Sequence, residues 1–270
     1  MRVIDAHTHI FPDKIARKAT VATADYFDLP EPPNHYGSVQ ELLDVLHEAG
    51  IGHAMVFSAA TTAAQVEHIN RYILQEAEAH PEFIPCGTLH AEYENFEEEL
   101  AWMRAHGIYG IKLHPEFQHF VLDDRRLFPM FEEMAAHDMF LISHMGDPRV
   151  RVSGPERMLP IARTFPKLRC IATHLGNWGE WVPELIRPLA ALPNVYADIS
   201  SSFSYAPGDR RLFDCMGAYD PTHLFFGSDY PIWCPKKELE KALALGLPTG
   251  LLERVLFDNF AAFYHYRVIE

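Results

Sequence analysis

Seven apolar segments recur along this chain at nearly even intervals, each followed by a loop and an amphipathic helical pattern. They start at His53, Phe83, Ile108, Met139, Leu168, Val195 and Leu224, giving steps of 30, 25, 31, 29, 27 and 29 residues. Parallel strands need a crossover of about a dozen residues or more between them, and strands apolar on both faces need cover on both. With the opening segment ending at His9 there are eight such strands. The pattern therefore predicts an α/β fold, a (β/α)8 TIM barrel, as a single domain over residues 1–270. A doubly wound sheet shares the alternation but has no need of ligand-type residues at many strand ends, and ranks second.

Those ends are where the polar residues fall. In a parallel barrel the carboxyl ends of all strands meet at one rim, so a polar residue closing an apolar strand points toward a shared site. The closing residues here are His7 and His9, Lys112 and His114, His144, His174, and Asp229. Val3, Asp5, His7 and His9 share a parity, so a pleated strand aims both imidazoles the same way. With 16 histidines in the chain, one His-x-His pair means little by itself. Agreement across five strand ends means more. By contrast His47, His68, His80, His106 and His137 fall within or at the ends of predicted helices, where solvation or the negative helix terminus accounts for them.

Local signals agree with this frame. Ser38-Val39-Gln40-Glu41 has the spacing of a capping box, and a helix is expected over Asp13–Phe27. A stiff Leu29-Pro30-Glu31-Pro32-Pro33 stretch follows it. The connection from Phe11 to Gly37 is long enough to serve as a lid or binding loop. Two helices, near Lys236–Leu245 and Leu251–Tyr264, are expected to close the chain.

The net charge of −14 opposes nucleic-acid binding, which depends on cationic surface. The four cysteines, Cys86, Cys170, Cys215 and Cys234, are scattered without a Cys-x-x-Cys pair and read as reduced thiols. No apolar run approaches membrane-spanning length and no leader is evident, so a soluble cytoplasmic protein is expected, with a small-molecule substrate and no nucleic-acid or membrane partner.

Six stretches carry a resemblance: Ile4-Asp5-Ala6-His7-Thr8-His9, Gly110-Ile111-Lys112-Leu113-His114-Pro115, Ile142-Ser143-His144-Met145-Gly146, Thr173-His174-Leu175-Gly176, Phe226-Gly227-Ser228-Asp229-Tyr230-Pro231 and Phe257-Asp258-Asn259-Phe260-Ala261. As a set, in this order, they resemble the amidohydrolase superfamily, and within it the amidohydrolase-related group that contains aminocarboxymuconate-semialdehyde decarboxylase-like enzymes. The resemblance implies one divalent metal ion, most often Zn2+, held by His7, His9, His144 and Asp229. It places His174 as a catalytic acid or base beside a metal-bound water, and makes a homodimer a reasonable expectation. Near Lys112 the binuclear relatives carry a carbamylated, metal-bridging lysine. Leu113-His114-Pro115 follows here as in one-metal relatives, so Lys112 is read as a substrate-facing ammonium or rim salt bridge.

Three imidazoles and a carboxylate leave a zinc position open for water, whose pKa the metal lowers from about 15.7 to about 7. The expected function is a metal-dependent hydrolase using a zinc-activated water on an amide, ester or lactone of a small, carboxylate-bearing molecule. Asp229 takes the water proton and His174 steadies the adduct. The alternative is a zinc-dependent non-oxidative decarboxylase, a lyase acting on a small aromatic or dienoic acid. Lys112, His114, Arg149 and Arg151 are the expected substrate-binding residues, the two arginines as a guanidinium fork for a carboxylate. Phe11, Trp178, Phe203, Tyr205, Tyr230 and Trp233 are expected near the rim.

Overall fold

The computed structural model describes residues 1–29, 32–33 and 35–264. Eight strands lie in one sheet in sequence order, every neighbouring pair parallel. They are β1 Ile4–His9, β2 His53–Phe57, β3 Phe83–Thr88, β4 Gly110–Leu113, β5 Phe140–Ser143, β6 Arg169–Ala172, β7 Val195–Asp198 and β8 Leu224–Phe225. The seam between β8 and β1 closes through Ala6 N–H to Phe226 O (2.9 Å), Asp229 N–H to His7 O (2.9 Å) and His9 N–H to Tyr230 O (2.7 Å). The expected (β/α)8 barrel is what the chain adopts. Of the stiff stretch after the first helix, Pro30 and Glu31 lie outside the described residues, as does His265.

The strands are shorter than their apolar runs. β4, β5, β6 and β8 stop before His114, His144, His174 and Asp229, because those backbones turn out of the ladder. His174 and Asp229 sit at φ 57° and 62°, a left-handed conformation that is uncommon for residues with a Cβ and recurs where a side chain must be aimed at a site. β1 also breaks register with β2 between Asp5 and Thr8, a bulge of the kind that re-aims side chains at barrel rims.

Inside the barrel, Ile4, Ala6, Met55, Phe57, Ile84, Phe140, Ile142, Ile171 and Phe225 form a packed cluster. A larger cluster joins the outer strand faces to the helices, so the core is two concentric apolar layers. The expected capping box is present: Ser38 Oγ accepts from Glu41 N–H while Glu41 reaches back to Ser38 N–H. The helix over Asp13–Tyr26 lies across the barrel mouth. The last predicted helix is three pieces, Thr249–Glu253, a π-turn segment Arg254–Asp258, and Asn259–Phe263. All four cysteines are free. Among the described residues no helix is long and apolar enough to cross a membrane.

Candidate active site

Four strand ends, those of β1, β5, β6 and β8, deliver His7, His9, His144, His174 and Asp229 to one spot. His7, His174 and Asp229 present ligand-type atoms within 4.8 Å of one another. His9 Nε2 is 3.7 Å from Asp229 Oδ1, and His144 Nδ1 is 3.1 Å from His174 Nε2. His174, read from the sequence only as acid or base, thus stands among the candidate ligands themselves.

Hydrogen bonding fixes which nitrogens carry protons. His144 Nε2 faces the Gly146 carbonyl at 2.8 Å and His174 Nδ1 faces the Ser200 carbonyl at 3.1 Å. A carbonyl only accepts, so both of these nitrogens bear the hydrogen. The remaining nitrogens, His144 Nδ1 and His174 Nε2, are then two lone pairs opposed at 3.1 Å. Burial keeps both rings neutral: it pushes His174 down to about 4 and His144 well below the ordinary imidazole value. Opposed lone pairs in a buried site are satisfied by a cation.

His7 stands among neighbours of both signs, with Lys112 Nζ 3.3 Å from its Nε2. Its Nδ1 donates to Asp198 Oδ2 at 2.9 Å, leaving Nε2 facing Asp229 Oδ1 at 3.2 Å. Burial and the Lys112 ammonium disfavour a charged His7, but Asp198 and Asp229 outweigh them and raise its pKa. Burial likewise opposes ionisation of Asp229, yet His7, His174 and His9 hold it well below the ordinary carboxylate value. The donor set, imidazoles with carboxylate oxygen and an ordered outer layer, suits a divalent ion such as zinc.

That outer layer was not assigned a role from the sequence. Asp198, fully buried at the end of β7, binds His7 Nδ1 through Oδ2. Its Oδ1 accepts from the His174 backbone N–H at 3.0 Å, from Ser200 N–H at 3.1 Å and from the Ser200 hydroxyl. Its signal was available, a carboxylate closing the apolar strand Val195-Tyr196-Ala197. Ser201 donates to Asp229 Oδ2 and itself accepts from the Trp233 indole N–H at 2.9 Å. Asp229 Oδ1 is left for the imidazoles.

A cavity of about 440 Å³ opens above this cluster, bordered by His9, His114, His144 and Asp229 on the floor and by Phe27, Phe117 and Trp178 among its walls. Of the aromatic residues expected near the rim, Phe11, Trp178 and Trp233 border it, whereas Phe203, Tyr205 and Tyr230 do not. Tyr230 is buried with its hydroxyl on the Ser38 carbonyl.

His114 borders the cavity, but three other expected substrate contacts lie elsewhere. Lys112 is fully buried beneath His7, its Nζ 3.3 Å from His7 Nε2 and 4.8 Å from the Phe57 ring. Burial lowers its pKa to about 8. It faces the ligand cluster from below. Arg149 spends its fork on Asp147, at 2.9 and 2.8 Å, and caps the Tyr26 carbonyl. Arg151 is exposed and reaches Glu180 at 3.5 Å. Neither arginine borders the cavity, because a carboxylate of this chain already fills the place expected for a substrate's.

His114, Glu116 and His144 form a second close group of ligand-type side chains. The His114 and His144 rings are stacked, 6° from parallel with centroids 4.2 Å apart. An imidazole binds a metal in its ring plane, and two stacked planes have no common point, so this arrangement does not hold an ion between the two rings.

The family model described as Amidohydrolase matches residues 4–266. No curated protein matches. Among solved structures, the fold is similar to an uncharacterized TIM-barrel protein from Bordetella bronchiseptica, at 20% identity, TM-score 0.80, covering 98% of this chain and 100% of that one. It is similar to 5-carboxyvanillate decarboxylase from Sphingomonas paucimobilis, at 16% identity, TM-score 0.71, covering 98% and 99%. A third is a dihydroxybenzoic acid decarboxylase from Polaromonas with bound manganese, at 13% identity, TM-score 0.74, covering 99% and 98%. At such identities the likeness is one of fold.

Proposed function

The chain belongs to the amidohydrolase family, and from that premise we propose that it is a metal-dependent hydrolase acting on an amide, ester or lactone of a small molecule. The observation that carries the metal requirement is the opposition of unprotonated His144 Nδ1 and His174 Nε2 at 3.1 Å. His7, His9, His144 and Asp229 are the proposed ligands of one divalent ion, zinc by donor type, with His174 in the same cluster. When bound, such an ion supplies Lewis acidity, polarising a carbonyl and acidifying water.

The chain's own residues do the rest. Asp229 accepts a proton at Oδ1, since Ser201 engages Oδ2. With its Nδ1 hydrogen committed to the Ser200 carbonyl, His174 has Nε2 as the atom that takes up and returns a proton when the other four residues hold the ion. Asp198 orients His7 and tethers the His174 backbone. His114, at the cavity floor, is the proposed substrate contact.

Non-oxidative decarboxylation of a small aromatic or dienoic acid is the second reading. It is favoured by the aromatic cavity walls and by the decarboxylase names of two proteins sharing the fold. The test is to supply amides, esters, lactones and small carboxylic acids to the metal-loaded protein while following acid or amine release against CO2. Release of CO2 without hydrolytic product defeats the first reading. The charge of −14 opposes a nucleic-acid partner; we further propose a cytoplasmic enzyme without a membrane partner, with a homodimer as the assembly to test.

A further inference from the structure

Among the described residues the cavity is bordered by two carboxylate residues, Glu116 and Asp229, and by no lysine or arginine. Asp229 faces the imidazole cluster. Glu116 is different, because no cationic side chain pairs with it.

Its position is fixed. Oε1 accepts from the Ser153 hydroxyl, whose direction is set because Ser153 Oγ receives the Gly146 N–H at 3.1 Å. Oε2 lies 3.2 Å from His114 Nδ1, and neither atom has a hydrogen-bond partner of good geometry. The His114 ring cannot swing away, being sandwiched between Phe117 at 4.1 Å and His144 at 4.2 Å. The Lys112 ammonium, the nearby cation, is turned to His7 at 3.3 Å. Both Glu116 and His114 are at least nine-tenths buried, at 5% and 4% exposure. The cavity therefore has a carboxylate held behind an imidazole edge, within largely apolar walls that also include Thr20, Thr23, Thr61 and His119.

We propose that this site takes a substrate with a single polar head and an uncharged, largely apolar body, and that Glu116, acting through the His114 wall, is the determinant that excludes a second anionic group. The inference rests on the metal-centred reading above, which seats the head among His9, His144 and Asp229. The body then lies against Phe27, Phe117 and Trp178. A carboxylate on that body meets a largely apolar wall and Glu116, with no guanidinium or ammonium among the described lining residues to receive it. At a separation of about 8 Å and an effective dielectric near 20, like charges disfavour binding by roughly tenfold to thirtyfold.

The probes are benzohydroxamic acid, whose head chelates divalent ions and whose ring suits the walls, and its 3-carboxy and 4-carboxy derivatives. Affinities for the zinc-loaded protein are measured by calorimetry. Benzohydroxamate is expected to bind at least tenfold more tightly than either derivative. In Glu116→Gln that ratio should contract threefold or more, and in Glu116→Asp, which keeps the charge, it should persist. Equal or tighter binding of a carboxylated probe by the unaltered protein overturns the proposal, whether or not the variants fold. An unchanged ratio in a folded Glu116→Gln also overturns it. Benzohydroxamate binding that survives metal removal, or fails with metal loaded, instead defeats the metal-centred reading and this inference with it. That outcome is read from the parent probe alone, independently of the ratio.

Discussion

Replacing Asp198 with Asn tests whether the outer layer sets the metal site. The carboxylate accepts from His7 Nδ1, the His174 N–H, the Ser200 N–H and the Ser200 hydroxyl, in a fully buried position. Asparagine preserves shape and can keep its carbonyl on the two backbone N–H groups, but its amide hydrogens then point at His7 Nδ1. His7 must reverse its tautomer, placing a hydrogen on Nε2, the atom that faces Asp229 Oδ1 at 3.2 Å. The ligand lone pair is lost. Outer-layer substitutions of this kind weaken metal binding by about 10- to 100-fold, or about 1.4–2.7 kcal/mol. Competition with a chromophoric chelator measures the zinc affinity, and circular dichroism checks that the variant is folded. A folded Asp198→Asn protein that binds zinc within about threefold of the parent would refute the tautomer argument.

Four further outcomes follow from the same geometry. His174→Asn should reduce turnover by about 100-fold or more, while chelator competition shows zinc still bound, since His7, His9, His144 and Asp229 remain; unchanged turnover removes its proposed role. Ser201→Ala frees Asp229 Oδ2 and should weaken zinc binding by about 3- to 10-fold, read by the same competition; Trp233→Phe, which removes only the donor to Ser201, should have a smaller effect in the same direction. Arg149→Ala should leave KM within about twofold and lower stability by about 1 kcal/mol in urea melts, because it strips the partner from buried Asp147; a KM rise of tenfold restores the substrate fork. Burial alone would raise the Asp147 carboxyl, but Arg149 holds it below its ordinary value of 3.8. The pair's stabilisation is therefore present above that value and is lost as pH falls through the lower folded-state pKa, so melting curves of parent and Arg149→Ala should converge as the pH is taken well below 3.8.

The barrel was legible because its signal is redundant. Eight apolar segments at steady intervals admit few arrangements, and a misjudged boundary at one leaves the others intact. The five clustered side chains, His7, His9, His144, His174 and Asp229, were legible for a related reason: a polar residue ending an apolar strand has nowhere to point except the rim. What the sequence did not carry was the direction of long side chains on loops. Arg149 and Arg151 follow β5 within a few residues of His144, yet Asp147 captures the first and solvent and Glu180 the second. Lys112 shares its strand with the rim residues, but its Cα lies one layer deeper, so its ammonium ends under His7. Asp198 ends its strand as openly as Asp229 does, and went without a role because a structural carboxylate beneath an imidazole has no spacing signature. The sandwich of Phe117, His114 and His144, with Glu116 behind it, is a tertiary arrangement drawn from two different strands and a short helix.

Metal analysis of the purified, zinc-loaded protein, joined to X-ray absorption at the zinc edge, bears most directly on the proposed centre. About one equivalent per chain, with imidazole nitrogen and carboxylate oxygen around the ion and no sulfur, is the predicted result. Two tightly held equivalents, or none, would contradict it.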